Sequence, residues 1–159
     1  MNSFSFLLVD DEQEFIEALA LRLRQRGYAV ECTFTGAEAL KRLEMDNSVD
    51  IVLLDISMPA PDGMTTLQKI KLKHPLIEVI MLTGHASTRS AVEALKFGAF
   101  NYLTKPCDLQ DLISLSEQAA ARKRAREAKL LDARIKPYIS DQDRQELIHQ
   151  ILDSKYSDS

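Results

Sequence analysis

Polar residues follow four short apolar runs of the chain, and their types suit phosphoryl chemistry. The segments are Asp10-Asp11, Asp55, Thr83-Gly84 and Thr104-Lys105-Pro106. Three carboxylates that lie close together repel one another and need a cation, and an all-oxygen set that keeps water suits Mg²⁺. A lysine beside such a metal indicates a bound anion, and phosphate suits Mg²⁺, lysine and hydroxyl together. One carboxylate is then a ligand only, or a nucleophile as well.

Alternating strands and helices must bring these residues together. The strand candidates are Phe4–Val9, Ala29–Thr33, Ile51–Leu54, Glu78–Leu82 and Asn101–Thr104. Two of them hold continuously apolar runs, which is typical of strands covered on both faces. Strand and helix alternate five times, which predicts an α/β fold: a doubly wound, five-stranded parallel sheet flanked by five helices. Ligands of such sheets lie outside the carboxyl ends of the strands, so the polar segments should meet at one edge.

The helices between the strands are predicted from apolar residues at helical spacing. The expected stripes are Phe15, Ile16, Leu19, Ala20 and Leu23; Ala37, Leu40 and Leu43; Leu67 and Ile70; Ala91 and Leu95; and Leu109, Leu112, Ile113 and Leu115.

The pattern changes after the fifth helix, which is predicted over residues 108–121. Helical character continues to Ile135, and Arg122–Lys136 holds seven basic residues against two acidic ones, a net charge of +5. Pro137 should end this helix. A further helix is predicted over Asp141–Leu152, with Ser140 as N-cap. We therefore divide the chain into a domain at 1–121 and a helical C-terminal extension at 122–159.

Composition excludes several classes of protein. The 159 residues are 45% hydrophobic and 28% charged, with a net charge of −4, which is too apolar for a disordered chain. No apolar run approaches the roughly 20 residues that cross a bilayer, and the first residues do not resemble a secretory signal. Cys32 and Cys107 lie far apart, without metal-ligand spacing. We expect a soluble cytoplasmic protein without membrane partners.

Four segments carry a resemblance to a known family. They are LLVDDEQEF, VDIVLLDISMPAPDGM, VIMLTGHAS and FGAFNYLTKPCDLQDL, and the likeness extends over residues 6–112. They resemble the receiver domain of two-component response regulators, a CheY-like fold with the flavodoxin-like strand order 2-1-3-4-5. The segments LTGHAS and GAFNYLTKP are most similar to those of NtrC- and FixJ-type receivers that precede transcriptional effector domains.

The resemblance implies a role for each polar segment. Asp55 would be the phosphoacceptor that takes a phosphoryl group from a sensor histidine kinase. Asp11 and Asp55 would bind Mg²⁺ directly, with the backbone carbonyl of Ser57, whereas Asp10 would act mainly through water. Lys105 would pair with the phosphoryl oxygens, and its peptide bond to Pro106 would be cis.

A conformational switch is also implied. Thr83 would hydrogen-bond the phosphoryl group, and Tyr102 would move inward behind it. The altered surface would be the fourth helix, fifth strand and fifth helix, roughly residues 87–118, and it would control binding of an unknown downstream protein or a homodimer. Ser57 and His85 would tune the lifetime of the phosphoryl group.

Each residue taken alone has an ordinary interpretation: Asp11 and Glu14 as a capping box, Asp55 as a turn acid, Thr83 as a strand terminus and Tyr102 as a half-buried aromatic. Their joint occurrence favours a phosphorylation switch, which is not an enzyme in the usual sense. The alternative is a phosphorelay intermediate that passes its phosphoryl group to a histidine phosphotransfer protein. An Mg²⁺-dependent phosphohydrolase is disfavoured, since no DxDxT-type loop or cap is present, and the intact acidic set disfavours a constitutive scaffold.

The extension leaves several roles open. We expect Arg122–Lys136 to form a solvated helix face rather than a site for direct nucleic-acid binding. The residues after 121 leave no room for a DNA-binding or ATPase module, which predicts a single-domain regulator. Its tail would pack on its own receiver, mediate dimerisation or dock a partner, since Leu147, Ile148, Ile151 and Leu152 form an apolar face.

Overall fold

A computed structural model describes residues 4–84 and 88–153 of the chain. Five parallel strands form one sheet in the order β2-β1-β3-β4-β5, which confirms the predicted topology. The strands are β1 (Ser5–Val9), β2 (Ala29–Thr33), β3 (Ile51–Asp55), β4 (Glu78–Thr83) and β5 (Asn101–Thr104). Strands β3 and β4 each run one residue further than predicted, so Asp55 and Thr83 belong to the sheet itself.

Six helices complete the described part of the chain. They are α1 (Gln13–Gln25), α2 (Gly36–Met45), α3 (Gly63–Lys73), α4 (Thr88–Lys96), α5 (Leu109–Ile135) and α6 (Asp141–Leu152). The side chain of an N-cap residue accepts a backbone hydrogen bond at α2, α3, α5 and α6, and at α6 this residue is the predicted Ser140. Within the described ranges, none of the helices combines the length and the apolar character that crossing a membrane requires.

Alternating side chains of the sheet build two cores. Leu8 and Leu53 point to the face covered by α1 and α5. Val52 and Leu54 point to the other face, which α2, α3 and α4 cover. Because both faces are buried, the strands are apolar at nearly every position, as the sequence predicted.

Two of the predicted helix stripes are confirmed except for one residue each. In α2 the exposed residue is Ala37, and Ala39 is buried instead. In α4 Leu95 is 44% exposed, whereas Ala94 is fully buried against the sheet. In both helices the small alanine lies against the core, because a small side chain lets the helix approach the sheet closely.

The C-terminal extension begins inside a helix. Helix α5 is continuous for 27 residues, so the division between residues 121 and 122 falls within it. Helix α6 then packs back against α5. Leu147, Ile148, Ile151 and Leu152 are all half-buried, which agrees with the apolar face predicted for α6.

Each of these two helices has its C-terminus capped by an arginine of the other. Arg144 of α6 donates to the carbonyl oxygens of Ala133 (2.8 Å), Arg134 (2.9 Å) and Lys136 (2.8 Å), at the end of α5. Arg126 of α5 donates to the carbonyl oxygens of Ile151 (3.2 Å) and Leu152 (2.7 Å), at the end of α6. These bonds satisfy carbonyl groups that a helix end leaves without an intrahelical partner, so the two arginines hold α6 on α5.

The prediction of a solvated basic helix face is wrong for the first turns of the extension. Lys123 and Arg126 are buried, and Arg122 is half-buried. The cause is Glu78, a fully buried carboxylate at the start of β4 that lies under α5 and needs opposite charge. Arg122 donates to Glu78 at 2.8 Å, Arg126 approaches it to 3.4 Å, and Lys123 pairs with Asp50 at 2.7 Å.

Candidate functional site

The polar segments predicted from the sequence meet at the carboxyl edge of the sheet. Asp10 directly follows β1, Asp55 ends β3, Thr83 ends β4, and Lys105 directly follows β5. All strands are parallel, so these ends share one edge. Strands β1 and β3 are neighbours although β2 lies between them in sequence, and such a reversal of strand order opens a crevice for ligands.

Three carboxylates form the centre of the site. Asp10, Asp11 and Asp55 each offer an oxygen, and these oxygens all lie within 4.8 Å of one another. Asp10 and Asp55 are buried and Asp11 is exposed, so the group opens to solvent on one side. Asp55 Oδ1 accepts a hydrogen bond from the backbone N–H of Ser57 at 3.1 Å, and Asp10 Oδ1 accepts one from the N–H of Glu12 at 2.9 Å.

Electrostatic repulsion is evident at Asp55. Burial, and after it the negative charge of Asp10, raise the pKa of Asp55 from its ordinary value of 3.8 to about 6. The N–H of Ser57 and the ammonium of Lys105 oppose this shift without cancelling it. The negative charge of Asp55 is therefore less stable here than in water, and a further cation would stabilise it.

The residues fit a hard divalent cation. The donor set is oxygen only, and two of its three carboxylates are withdrawn from water. Asp10 Oδ2 is buried and accepts no hydrogen bond of regular geometry from the described residues, although Lys105 Nζ lies nearby. Such an oxygen has a lone pair that is free to coordinate a metal ion.

Lys105 reaches into this acidic group. Its Nζ lies 2.7 Å from Asp10 Oδ2, 3.0 Å from Glu12 Oε1 and 3.6 Å from Asp55 Oδ2. Burial opposes the charged form, but the contacts with Asp10 and Glu12 outweigh burial and raise the pKa of Lys105. The backbone N–H of Lys105 donates to the Thr83 carbonyl at 2.8 Å, and the peptide bond to Pro106 is cis, as the resemblance implied. Ala60–Pro61 is also cis, which the sequence did not indicate.

The two residues of the expected switch lie on one face of the sheet. Thr83 is buried at the end of β4, and Tyr102 is half-buried in β5 beside the core formed with α2, α3 and α4. Met81 pairs with Tyr102, and Thr83 pairs with Thr104, so alternation places Thr83 and Tyr102 on the same side. Gly84 is exposed. His85, and the start of the surface predicted at 87–118, lie outside the described residues.

Sequence reasoning missed two neighbours of Lys105. Glu12 contacts its ammonium, and the ring of Phe15 lies 5.0 Å from it in a cation–π arrangement. The capping box of Asp11 and Glu14 is not formed, because α1 begins after Glu12 and lacks a side-chain cap. Glu12 could have been predicted because it is an acidic residue directly after Asp10 and Asp11. Phe15 was assigned only to the apolar stripe of α1, so its contact with Lys105 was not predicted.

A doubly wound parallel sheet with three carboxylates and a lysine at its carboxyl edge is typical of a receiver domain. Residues 6–117 match the response regulator receiver domain family, and the chain belongs to this family. Its resemblance to receivers of the NtrC type is confirmed by the sequence comparisons below.

Several relatives are transcriptional regulators. The chain is 38% identical over 120 residues to the transcriptional regulatory protein ZraR of Escherichia coli (strain K12), covering 76% of this chain and 27% of that protein. It is 38% identical over 112 residues to the DNA-binding transcriptional regulator NtrC of the same strain, covering 70% of this chain and 24% of that protein. The chain thus spans about a quarter of the length of the curated relatives it matches.

Solved structures show the same fold. A response regulator receiver domain protein from Clostridium thermocellum matches with a TM-score of 0.74 and 35% identity, over 77% of this chain and 98% of the other. The beryllofluoride-activated NtrC4 receiver domain dimer, solved in solution, matches with a TM-score of 0.70 and 32% identity, over 75% and 98%. Both matches cover nearly all of the other chain and leave about a quarter of this chain unmatched.

Proposed function

We propose that this receiver is a phosphorylation switch in which Asp55 accepts a phosphoryl group from a phosphohistidine of a sensor histidine kinase. The observation that carries the proposal is the position of Asp55. Its buried carboxylate lies at the end of β3, beside two further carboxylates and 3.6 Å from the ammonium of Lys105. That arrangement suits a nucleophile whose charge must be balanced while it attacks a phosphorus atom.

The proposed transfer is a single displacement. A carboxylate oxygen of Asp55 forms a bond to phosphorus while the P–N bond of the phosphohistidine breaks, and the imidazole nitrogen keeps the electron pair. Lys105 contacts the phosphoryl oxygens and compensates the added negative charge. The backbone N–H of Ser57 orients the carboxylate that attacks.

Asp10, Asp11 and Asp55 would hold Mg²⁺, with the backbone carbonyl of Ser57 as a further ligand. The bound metal would supply positive charge against the three carboxylates and the transferred group. The raised pKa of Asp55 and the burial of the Asp10 carboxylate beside two further carboxylates support a cation at this place. Hydrolysis of the acyl phosphate would reset the protein, which makes it a signalling switch rather than a conventional enzyme.

We propose that Thr83 and Tyr102 relay the phosphorylation state to the surface of α4, β5 and α5. Added phosphoryl oxygens attract the Thr83 hydroxyl, and the space it leaves admits the Tyr102 ring. Val92, Leu95 and Phe97 are between 39% and 46% exposed at and just after α4, which supports a protein-binding surface there. The partner would be a downstream protein or a second copy of this chain.

Direct nucleic-acid binding by this chain is not part of the proposal. Arg122, Lys123 and Arg126, three of the seven basic residues of Arg122–Lys136, are engaged with Glu78 and Asp50 inside the protein.

A reducing, cytoplasmic environment is consistent with Cys32 and Cys107, which are both free thiols.

Intact-mass measurement tests the proposal. The protein is incubated with Mg²⁺ and acetyl phosphate, beside Asp55→Asn and a control, Asp132→Asn, which changes an exposed carboxylate of α5. We expect one phosphoryl adduct in the parent and in the control, and none in Asp55→Asn or after chelation of the metal. An adduct that persists in Asp55→Asn would overturn the assignment. Transfer of the adduct back to a histidine phosphotransfer protein would instead favour the phosphorelay alternative.

A further inference from the structure

We propose that Glu12 is a positioning residue that restrains Lys105 in the unphosphorylated protein and thereby slows phosphoryl transfer. The inference rests on the proposed function of Asp55 and concerns a residue outside the acidic pair. It begins from the three carboxylates around one ammonium: Lys105 Nζ lies 2.7 Å from Asp10, 3.0 Å from Glu12 and 3.6 Å from Asp55.

The helix that follows places no competing demand on the Glu12 carboxylate. Glu12 is the N-cap residue of α1, yet its side chain caps no backbone N–H. At α2, α3, α5 and α6 the side chain at this position does accept such a bond. Helix α1 therefore lacks a stabilising interaction that four other helices have, and the carboxylate contacts Lys105 instead.

The three carboxylates differ in how readily they can release the ammonium. Asp10 is fully buried, so water cannot take the place of the ammonium when this ion pair opens. The side chain of Glu12 is 64% exposed, and water can solvate its carboxylate when the pair opens. Glu12 is thus the partner that Lys105 gives up when it turns to a phosphoryl group on Asp55.

Phe15 and burial limit where Lys105 can go. The ring of Phe15 lies 5.0 Å from Nζ, and the lysine side chain is only 12% exposed. The ammonium therefore stays close to the acidic group after Glu12 releases it. Removing the Glu12 contact should free Lys105 for the transferred group without removing it from the site.

Rates of phosphorylation by acetyl phosphate test this inference on the whole chain with Mg²⁺. We expect Glu12→Gln and Glu12→Asp each to react about two- to fivefold faster than the parent, which is the factor that an exposed ion pair represents. Glu12→Asp keeps the negative charge, but its side chain is too short for the contact with Lys105. It therefore separates the effect of the contact from the effect of the charge. Glu14→Gln is the matched control, because it removes the same charge from an exposed neighbour that is not in contact with Lys105.

Two rate patterns would overturn the inference. One is a parent-like rate for both Glu12 variants. The other is acceleration by glutamine but not by aspartate, which would mean that Glu12 acts through its charge alone.

A second readout stays informative if Asp55 proves not to be the acceptor. In nitrogen NMR spectra of the unphosphorylated protein, the Lys105 Nζ signal should shift in both Glu12 variants and remain in place in Glu14→Gln. An unshifted Lys105 signal in the Glu12 variants would refute the restraint. If the signal shifts as expected but no protein, the parent included, forms a phosphoryl adduct, only the proposed function is refuted.

Discussion

In metal-free buffer, Asp55→Asn should stabilise the folded protein at neutral pH by about 3 kcal/mol. The magnitude comes from the pKa of Asp55, which burial and the neighbouring charge of Asp10 raise from 3.8 to about 6. Each unit of such a difference corresponds to about 1.4 kcal/mol of interaction that favours the protonated form. Asparagine has no charge to desolvate, and its side-chain oxygen can still accept the N–H of Ser57.

The sign follows from proton linkage. The folded state holds the Asp55 proton more tightly than the unfolded state, so unfolding releases this proton between the two pKa values. Stability of the parent therefore falls as pH rises from 3.8 towards about 6, and the loss is complete above that value. The free-energy difference between Asp55→Asn and the parent should be small below about pH 4 and reach its full size near pH 7.

Urea unfolding at a series of pH values, with a chelator present, measures this difference. Asp62→Asn is the control of opposite sign: hydrogen bonds from Thr65 lower the pKa of Asp62, so the parent gains stability as pH rises and Asp62 ionises, and the variant should lack this gain. Added Mg²⁺ should stabilise the parent more than Asp55→Asn. A difference between Asp55→Asn and the parent that does not change with pH would refute the reasoning, as would a less stable variant at pH 7.

Three further substitutions test the packing around the site and the extension. Gly63→Ala should destabilise the protein by about 1–3 kcal/mol, because its Cβ would lie 2.2 Å from the Asp55 carbonyl oxygen, whereas Gly84→Ala meets no described atom within 4 Å and should be tolerated. Urea midpoints compare the two variants, and equal midpoints would contradict the prediction. Arg126→Ala should cost about 1.5–3 kcal/mol, since α6 loses its cap and Glu78 loses one buried partner but keeps Arg122 and Lys71, while the exposed Arg124→Ala should change stability by less than about 0.5 kcal/mol. Thermal unfolding checks this pair, and a mild Arg126→Ala would mean that α6 is not held by the cap. Ser116→Ala should be neutral or slightly stabilising in the same assay, because the buried hydroxyl has no hydrogen-bond partner among the described residues; a loss above about 1 kcal/mol would reveal a missed partner.

Much of the fold could be predicted because local patterns decide it. Continuous apolar runs gave the strands, helical spacing gave the helices between them, and Ser140 marked the start of α6. The ends of parallel strands meet at one edge whatever the details of packing, so Asp10, Asp55 and Lys105 could be placed together from their positions in the sequence. Short-range preferences and sheet topology suffice for these features.

Tertiary structure alone decided which charged residues are buried and what they contact. Arg126 meets Glu78 across 48 positions of the sequence, and Lys105 meets Glu12 across 93. A basic run has the same sequence whether it faces water or a buried carboxylate, so the pattern of Arg122–Lys136 predicted solvation. The structure differs because Glu78 begins a strand covered by α5, and a fully buried carboxylate is stable only where cations surround it.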